Sequence, residues 1–344
     1  MLTETAAWES TSGISNDFRE PKMSKLTPEQ WSALWTRDTV TTLDSMFPDN
    51  YDLSVAEFWK QLLDNEPARV IDLACGNGAL VWLANDILNK NGDTTIITGI
   101  DSADIDPFKT LKKNKKDFPT LRFIGNTSIE ELPFEDSSID IAISQYGLEY
   151  SDLQRSIPEL GRVLKPEAKT GFILHNDQST ILKGSTRYLE HHKLILNDIR
   201  IHELFLELDR LIGKSRNLTR ISAKPKVRKK MIAINAASDR IKEIMKVIDP
   251  ESEIQRYCIP MFDAFSEASV RKGVNRKKVI YQSISDLDDY IGRIEDLKSA
   301  ALSTEDQALL VGLIEKEGFT ITEMRAIAYS NSNNIGTALV ASRQ

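Results

Sequence analysis

Residues 70–78 read Val-Ile-Asp-Leu-Ala-Cys-Gly-Asn-Gly, and this stretch decides the fold. Its apolar start is typical of a buried strand, and the apolar stretch 79–89 that follows predicts a helix. The small residues of the turn between them let backbone N–H groups approach a ligand at the start of that helix. Asp72 can hold an ammonium or another polar group there. The sequence therefore predicts a cofactor site at this turn, although a tight connection without a ligand would use similar residues.

Further strand patterns follow this turn and alternate with helical ones. The strand patterns cover 95–100, 121–124, 139–144 and 170–175, and a predicted helix ends over 160–165, before the last strand. The first of these strands ends in Asp101, whose carboxylate can accept both hydroxyls of a ribose. The alternation predicts a parallel α/β sheet with its ligand at the carboxyl ends of the strands.

Residues 55–178 resemble the class I S-adenosylmethionine-dependent methyltransferases, and a fainter similarity covers the last 40 or so residues. The resemblance rests on the turn 72–78, on Ser128-Ile129-Glu130 and, most specifically after the turn, on 132–140, which reads Leu-Pro-Phe-Glu-Asp-Ser-Ser-Ile-Asp. It implies a Rossmann-like seven-stranded, mostly parallel sheet with helices on both faces. An N-terminal helical cap and a large helical insertion before the last two strands complete the expected fold.

The resemblance also implies a cofactor, S-adenosylmethionine, and a product, S-adenosylhomocysteine. The turn would wrap the methionine part, Asp101 would hold the ribose, and Ile129 would cover the adenine. The residues expected to bind the cofactor are Asp72, Ala74, Cys75, Gly76, Gly78, Asp101, Ser102, Ser128, Ile129, Glu130, Ser144 and Gln145.

Three positions depart from the family pattern. Ala74 replaces the usual first glycine, and 165–168, Lys-Pro-Glu-Ala, lacks the common double glycine. Asn126 stands where an aspartate is frequent, which leaves the contact with the adenine open.

The chain divides into four predicted parts. Residues 1–24 are polar and without periodicity, which indicates a mobile terminus, and 25–66 are rich in aromatic residues and predict a helical cap. The core would comprise 67–179 and 301–344, with two final strands over 320–328 and 336–342 around a polar turn at 331–334. Apolar residues at helical spacing through 180–300 predict a helical insertion that serves as a substrate lid.

Composition narrows the function class. The 344 residues carry a formal net charge of −7, so the chain as a whole is no obvious binder of polyanions. No apolar run approaches the roughly 20 residues needed to cross a bilayer, so we expect no membrane association, and Met1–Glu20 lacks a secretory pattern. Two cysteines give no disulfide framework, and this favours a reducing cytoplasm.

Basic residues concentrate in the insertion, chiefly between Arg210 and Lys230 and again between Arg271 and Lys278. An exposed charged face explains such a patch, and so does contact with an anionic substrate or RNA. No Phe, Tyr or Trp occurs between 210 and 250 to stack on bases, which makes nucleic acid the weaker interpretation.

Methyl transfer needs the acceptor in line with the methyl group and, for some acceptors, a proton acceptor. The catalytic candidates at the strand ends are His175, Glu149 and Tyr150, and His175 has the best intrinsic pKa for a base, unless it only caps its strand. Trp31, Trp35 and Tyr146 are the candidates for substrate contact, and the aromatics of the cap also suit simple packing on the sheet. No cluster has the spacing of metal ligands, so no metal is expected.

Three functions remain open. The first is a methyltransferase acting on a small molecule under a helical lid, with anionic molecules among the candidates. The second is a methyltransferase of RNA or protein that docks on the basic insertion, and the third is a non-catalytic cofactor-binding or interaction module. The sequence predicts neither the acceptor atom nor the oligomeric state.

Overall fold

A computed structural model describes residues 26–43, 46, 47, 49–64, 67–92, 94–248, 254–329 and 333–343. The predicted mobile terminus 1–24 lies outside the described residues, as do residues 331 and 332 of the predicted polar turn.

A single sheet organises the core. Its strands are β1 (Arg69–Leu73), β2 (Ile96–Ile100), β3 (Leu121–Ile124), β4 (Ile139–Gln145), β5 (Leu164–Leu174), β6 (Phe319–Tyr329) and β7 (Asn333–Arg343). Their order is β3-β2-β1-β4-β5-β7-β6, with β7 antiparallel to both of its neighbours and the first five strands parallel. The seven-stranded, mostly parallel sheet is thus confirmed. The order reverses between β1 and β4, where such sheets bind ligands beyond their strand ends.

Helices accompany the sheet in chain order. They are α1 (Pro28–Trp35), α2 (Leu53–Leu62), α3 (Ala79–Leu88), α4 (Pro107–Thr110), α5 (Leu153–Val163), α6 (Thr180–His192), α7 (Ile201–Ile212), α8 (Leu218–Ser222), α9 (Pro225–Ile248), α10 (Ile254–Ala264), α11 (Glu267–Lys272), α12 (Arg276–Ala300) and α13 (Thr304–Lys316). A π-helical turn (Lys193–Asp198) follows α6, and a 3-10 turn (Leu148–Tyr150) follows β4.

Both faces of the sheet are buried because alternate strand residues serve opposite sides. Val70 of β1 packs with Trp59 of α2 and Val81 of α3 on one face. Ile71, the next residue, packs with Ile157 of α5 and Leu310 of α13 on the other. Two apolar cores therefore fix the plane of the sheet and the position of its strand ends.

The prediction of a helix through 160–165 was wrong at its end, since α5 stops at Val163 and β5 begins at Leu164. Pro166 agrees with an end of the helix before Lys165, because a proline disfavours helical backbone in the residue before it. The residues 165–168 loop out of register, so that Leu164 pairs with Ile139 whereas the next pair is Lys169 with Ile141.

The predicted N-terminal cap begins with α1. Thr27 accepts a hydrogen bond from the Gln30 backbone N–H and Gln30 bonds back to Thr27, which forms a capping box before Pro28. The segment after α1 is tied to the turn that follows β1, because Asn77 Nδ2 donates to Arg37 O (3.2 Å) and Thr39 O (2.8 Å). The cap is therefore anchored at the strand ends.

The helical insertion comprises α6 to α12 and has an apolar core of its own, with Phe205, Met261 and Ile280 among its buried members. A buried ion pair joins α12 to α7, with Arg276 Nε 2.7 Å from Asp209 Oδ1. The chain returns to the sheet at Leu302, whose N–H donates to His175 O (2.9 Å). Both ends of the insertion therefore lie beside the carboxyl end of β5. In the described part of the chain, no helix is long and apolar enough to cross a membrane.

Candidate functional site

A cavity of about 450 Å³ lies at the carboxyl ends of the parallel strands. Most of the residues predicted from the sequence line it: Trp31, Trp35, Asp72, Ala74, Cys75, Asp101, Ser102, Ser128, Ile129, Glu130, Gln145, Tyr146, Tyr150 and His175. Four predicted residues are not part of its wall: Gly76, Gly78, Ser144 and Glu149. Its size suits a small molecule or cofactor.

The turn 74–78 has the backbone conformation expected of a close-approach loop. Ala74, Gly76 and Gly78 all have positive φ, at 55°, 52° and 80°. A Cβ on Gly76 would lie 2.4 Å from a ring atom of Trp35, so the indole packs directly on this glycine. Gly76 is therefore required by both its conformation and its surroundings.

Gly78 serves the turn from the other side. A Cβ there would lie 2.5 Å from the ring of Phe123, and Trp82 is also close. Trp82 Nε1 donates to Asn77 O (2.9 Å), which holds this ring under the turn. The structure thus gives Gly78 a packing role at the start of α3, and it does not bring this residue to the cavity.

Two buried carboxylates lie next to each other in the cavity wall. Asp101 accepts hydrogen bonds from Gly76 N (2.8 Å, Oδ2) and Ala103 N (2.8 Å, Oδ1), and each oxygen keeps a second lone pair. Asp72 is 2% exposed, and its Oδ2 has no hydrogen-bond partner. Burial, and then the charge of Asp101, hold the pKa of Asp72 well above its ordinary value. Such a carboxylate gains most from a ligand that brings a cation.

Gln145 presents a hydrogen-bond donor whose direction is fixed by a neighbour. Trp59 Nε1 donates to Gln145 Oε1 (2.7 Å), and an indole N–H can only donate, so the amide oxygen must face Trp59. Gln145 Nε2 then points the other way, and it is buried without a partner. This amide is suited to donate to an oxygen of a ligand in the cavity.

Ser144 and Glu149 support the wall from behind. Ser144 Oγ donates to Leu73 O (2.8 Å) and accepts from Leu148 N (3.1 Å), so it ties β4 to β1. Glu149 accepts from His175 N (2.6 Å) through Oε1, while its Oε2 is buried without a partner. Burial raises the pKa of Glu149 to about 7, which is well matched to proton transfer at neutral pH.

His175 lies in an aromatic corner of the cavity. Its ring stacks on Tyr146 (4.1 Å between centroids, 11° between planes) and meets Tyr150 edge-on at 6.2 Å, and Tyr150 in turn meets Trp31 at 5.8 Å. Burial lowers the pKa of His175 to about 3, so the imidazole is neutral at pH 7. Its Nδ1 has no partner, but so low a pKa makes it a weak base, and Glu149 is better matched to that task.

The segment expected at the adenine lies on the cavity rim. Ile129 is 8% exposed, and Glu130 Oε1 accepts from Asp152 N (2.8 Å), which fixes the segment to the start of α5. Asn126, the departure from the family pattern, has φ 51° and turns its amide to Asp104 (3.4 Å). This side chain therefore braces the loop before the segment.

Sequence reasoning missed part of the wall. Tyr51 and Arg155 belong to it, as do Tyr290, Arg293, Ile294 and Leu297 of α12. The residues on α12 recur at helical spacing, and an arginine inside an otherwise apolar stripe was the available signal. Among the described residues, no group of three or more His, Cys, Asp or Glu could hold a metal ion.

Comparison with known proteins agrees with this geometry. Residues 71–172 match the family profile described as "Methyltransferase domain". The chain is similar to a 2-phytyl-1,4-naphtoquinone methyltransferase of Nostoc sp., with 34% identity over 106 residues, which are 30% of this chain and 44% of the relative. It is also similar to an uncharacterized methyltransferase of Mycobacterium bovis, with 29% identity over 33% of this chain and 42% of that one. The chain thus spans less than half the length of these relatives.

Solved structures of methyltransferases are also similar, at low levels. Geranyl diphosphate C-methyltransferase from Streptomyces coelicolor A3(2) has 15% identity and a TM-score of 0.32 over 38% of this chain and 49% of that chain. The plantazolicin methyltransferase BpumL has 9% identity and a TM-score of 0.39 over 92% and 85%. Scores of this size carry no argument about the site. The profile match shows a methyltransferase domain over residues 71–172, and the seven-stranded, mostly parallel sheet agrees with that match.

Proposed function

We propose that this protein transfers the methyl group of S-adenosylmethionine to a small-molecule acceptor held under its helical insertion. The observation that carries the proposal is Asp72, a buried carboxylate in the cavity wall with an unpartnered oxygen, next to the backbone-bonded carboxylate of Asp101. An ammonium group for the first and ribose hydroxyls for the second would satisfy both carboxylates.

The remaining wall residues fit the same cofactor. Gln145 Nε2 is oriented to donate to a carboxylate, and Ile129 offers an apolar surface to a base. Trp35 covers Gly76 and closes the turn from the side of the cap. When it is bound, S-adenosylmethionine supplies a methyl group made electrophilic by the sulfonium. The residues of this chain then need only hold the acceptor and exclude water.

Proton removal, where the acceptor needs it, falls to the corner at the end of β5. Glu149, with its pKa raised to about 7, is matched to take the proton, but it lies behind the cavity wall, so the proton would have to reach it through a group that lines the cavity. The neutral imidazole of His175 would orient the acceptor through Nδ1, and Tyr146 and Tyr150 would hold that ring in place. An acceptor that is already nucleophilic would need placement alone.

The insertion supports the choice of a small acceptor. α6 and α12 contribute to the cavity wall, so a ligand in the cavity would lie between the sheet and the insertion. We also propose that the acceptor carries negative charge, because Arg155 and Arg293 line the same cavity. The cytoplasmic location stays a prediction from the two cysteines, both of which are free and buried.

Isothermal titration with S-adenosylmethionine and S-adenosylhomocysteine, with NAD as the control, tests the proposal. We expect about micromolar binding of the first two, the range of ordinary cofactor affinities. Asp72→Asn, which keeps the shape and removes the charge, should weaken that binding by about tenfold or more. The exposed Asp117→Asn is the matched control and should change nothing. Equal binding by Asp72→Asn and wild type would overturn the role of Asp72, and no binding by wild type would overturn the function.

A further inference from the structure

Helix α12 turns an apolar stripe with a single arginine toward the cavity. Tyr290, Ile294 and Leu297 lie at helical spacing in the cavity wall, and Arg293 lies among them. Ile181 of α6 adds a further apolar side chain to the same wall. A guanidinium in such a setting loses part of its hydration, so it gains strongly from an anionic partner.

The contacts of Arg293 leave its charge unbalanced. Its guanidinium lies over the ring of Tyr290 at 5.6 Å, and Nη1 donates to Asp289 O (3.2 Å). No salt bridge between Arg293 and a carboxylate is present among the described residues, and the Asp289 side chain is itself exposed to solvent. Burial lowers the pKa of Arg293 and the charge of Arg37 lowers it further, whereas Tyr257, Asp289 and Tyr290 raise it. Arg293 thus brings a partly desolvated positive charge to the cavity wall, whereas Arg37 lies 3.8 Å from the carboxylate of Asp286.

The acids of the site do not cancel this charge. Asp72 and Asp101 lie at the ends of β1 and β2, where the proposed function uses them for the cofactor. Glu130 also brings a negative charge to the wall, but it lies in the segment expected at the adenine, where it accepts from Asp152 N. Arg155 of α5, which is exposed and has no ion pair among the described residues, adds a second cation to the wall. The part of the cavity beyond the cofactor residues is therefore apolar and cationic.

We infer that the acceptor is an amphipathic anion, whose apolar body packs on Tyr290, Ile294 and Leu297 while its carboxylate or other anionic oxygens pair with Arg293. This inference rests on the proposed function, since it places the acceptor beside the cofactor residues. The bidentate geometry of a guanidinium suits a planar carboxylate, and the aromatic surfaces of Tyr290 and Trp31 suit a flat apolar body.

Calorimetric titration of the complex with S-adenosylhomocysteine tests the inference with three probes. The probes are 2-naphthoate, the uncharged 2-naphthalenemethanol, and inorganic phosphate, which lacks the apolar body. We expect 2-naphthoate to bind about tenfold or more tightly than either of the others, because only it satisfies both the stripe and the guanidinium. Arg293→Met should abolish this preference, and Arg293→Lys should restore part of it.

Lys298→Met is the matched control, since it removes one positive charge from the same helix at an exposed position outside the cavity wall. It should leave the binding of 2-naphthoate within about twofold of wild type. The inference is overturned if the naphthoate fails to bind wild type, or binds Arg293→Met equally well. Affinity for S-adenosylhomocysteine separates the two proposals. If wild type does not bind S-adenosylhomocysteine, the proposed function is refuted. If wild type binds it but shows no preference for 2-naphthoate, only the amphipathic acceptor is refuted.

Discussion

The sheet core and the helical insertion are built by the same packing rules but differ in what they leave unsatisfied. Each has a buried apolar core of its own, with Ile71 central to one and Phe205 to the other. In the core, buried polar atoms of Asp72, Gln145 and Glu149 lack partners. In the insertion, the partly buried ion pair of Arg276 is complete, but the buried Nδ1 of His202 also lacks a partner. Unsatisfied groups therefore indicate a ligand only where they line the cavity, as those of Asp72 and Gln145 do at the strand ends.

The two regions also differ in backbone conformation. Within 70–78, residues 74, 76 and 78 all take positive φ, a conformation that L-amino acids other than glycine adopt at a cost. The helices of the insertion follow local preference, with caps at Ser179, Ser266 and Asn275 that accept the expected backbone N–H groups. We conclude that the turn places a non-glycine residue with positive φ, Ala74, in the cavity wall, whereas the insertion has such a residue, Arg200 (φ 54°), after its π-helical turn and outside the cavity wall.

The same substitution in both regions should have opposite effects. Gly76→Ala places a Cβ 2.4 Å from the Trp35 ring at φ 52°, and it should destabilise the fold by about 1–3 kcal/mol and weaken cofactor binding by about tenfold or more. Gly184→Ala, in α6 with no atom within 4 Å of the new Cβ, should stabilise by about 0.5–1 kcal/mol. Urea unfolding and titration with S-adenosylmethionine measure both.

Removal of the Trp35 ring separates the two causes at Gly76. In a Trp35→Ala background the clash is gone and only the cost of the backbone conformation is left, about 1 kcal/mol. The effect of Gly76→Ala should then shrink. An undiminished effect would show that the Trp35 ring is not the cause of the destabilisation. If Gly76→Ala is neutral in wild type, the expected difference between the turn and helix α6 does not exist.

Glu149 should give the core a distinct pH dependence. Its pKa rises from 4.5 to about 7 in the folded protein, so the folded state keeps a proton that the unfolded state has lost between these values. Its contribution to stability is present below about pH 4.5 and is lost as the pH rises through 7, by about 3 kcal/mol at most. Glu149→Gln should therefore gain stability relative to wild type as the pH rises from 5 to 8.

The measurement is the difference in free energy of unfolding between wild type and Glu149→Gln at each pH. This difference isolates Glu149, because His175 is present in both proteins and its contribution cancels. The contribution of His175 has the opposite pH dependence: its pKa is lowered to about 3, so its contribution is present above pH 6.5 and is lost as the pH falls. If Glu149 accepts the proton of the reaction, kcat should also lose an inflection near pH 7 in the variant. A pH-independent difference would show that Glu149 titrates normally.

The sequence predicted the sheet because 70–78 and the strands after it combine continuous apolar runs with a turn of small residues. The wall of the cavity was only partly predictable. Arg293 lies more than a hundred residues from the nearest motif residue, and its place in the cavity depends on how α12 packs, which no local pattern encodes. Glu149 was selected from its position after β4, but its raised pKa arises from burial, which that position does not reveal.

Ala74→Gly gives the smallest expected effect. Ala74 keeps the left-handed conformation (φ 55°) of the glycine that the family pattern has at this position, so glycine should relieve strain and stabilise by about 1 kcal/mol or less. Ala84→Gly, in α3 and fully buried, is the matched control and should destabilise by about 1 kcal/mol. Midpoints of urea unfolding at constant m-value report both changes.

Destabilisation by Ala74→Gly would mean that the packing of the Ala74 methyl group, which lies where a Cβ on Gly147 would clash, contributes more stability than the left-handed backbone of Ala74 costs. Stabilisation would show that the fold imposes the left-handed conformation on residue 74 against the preference of alanine.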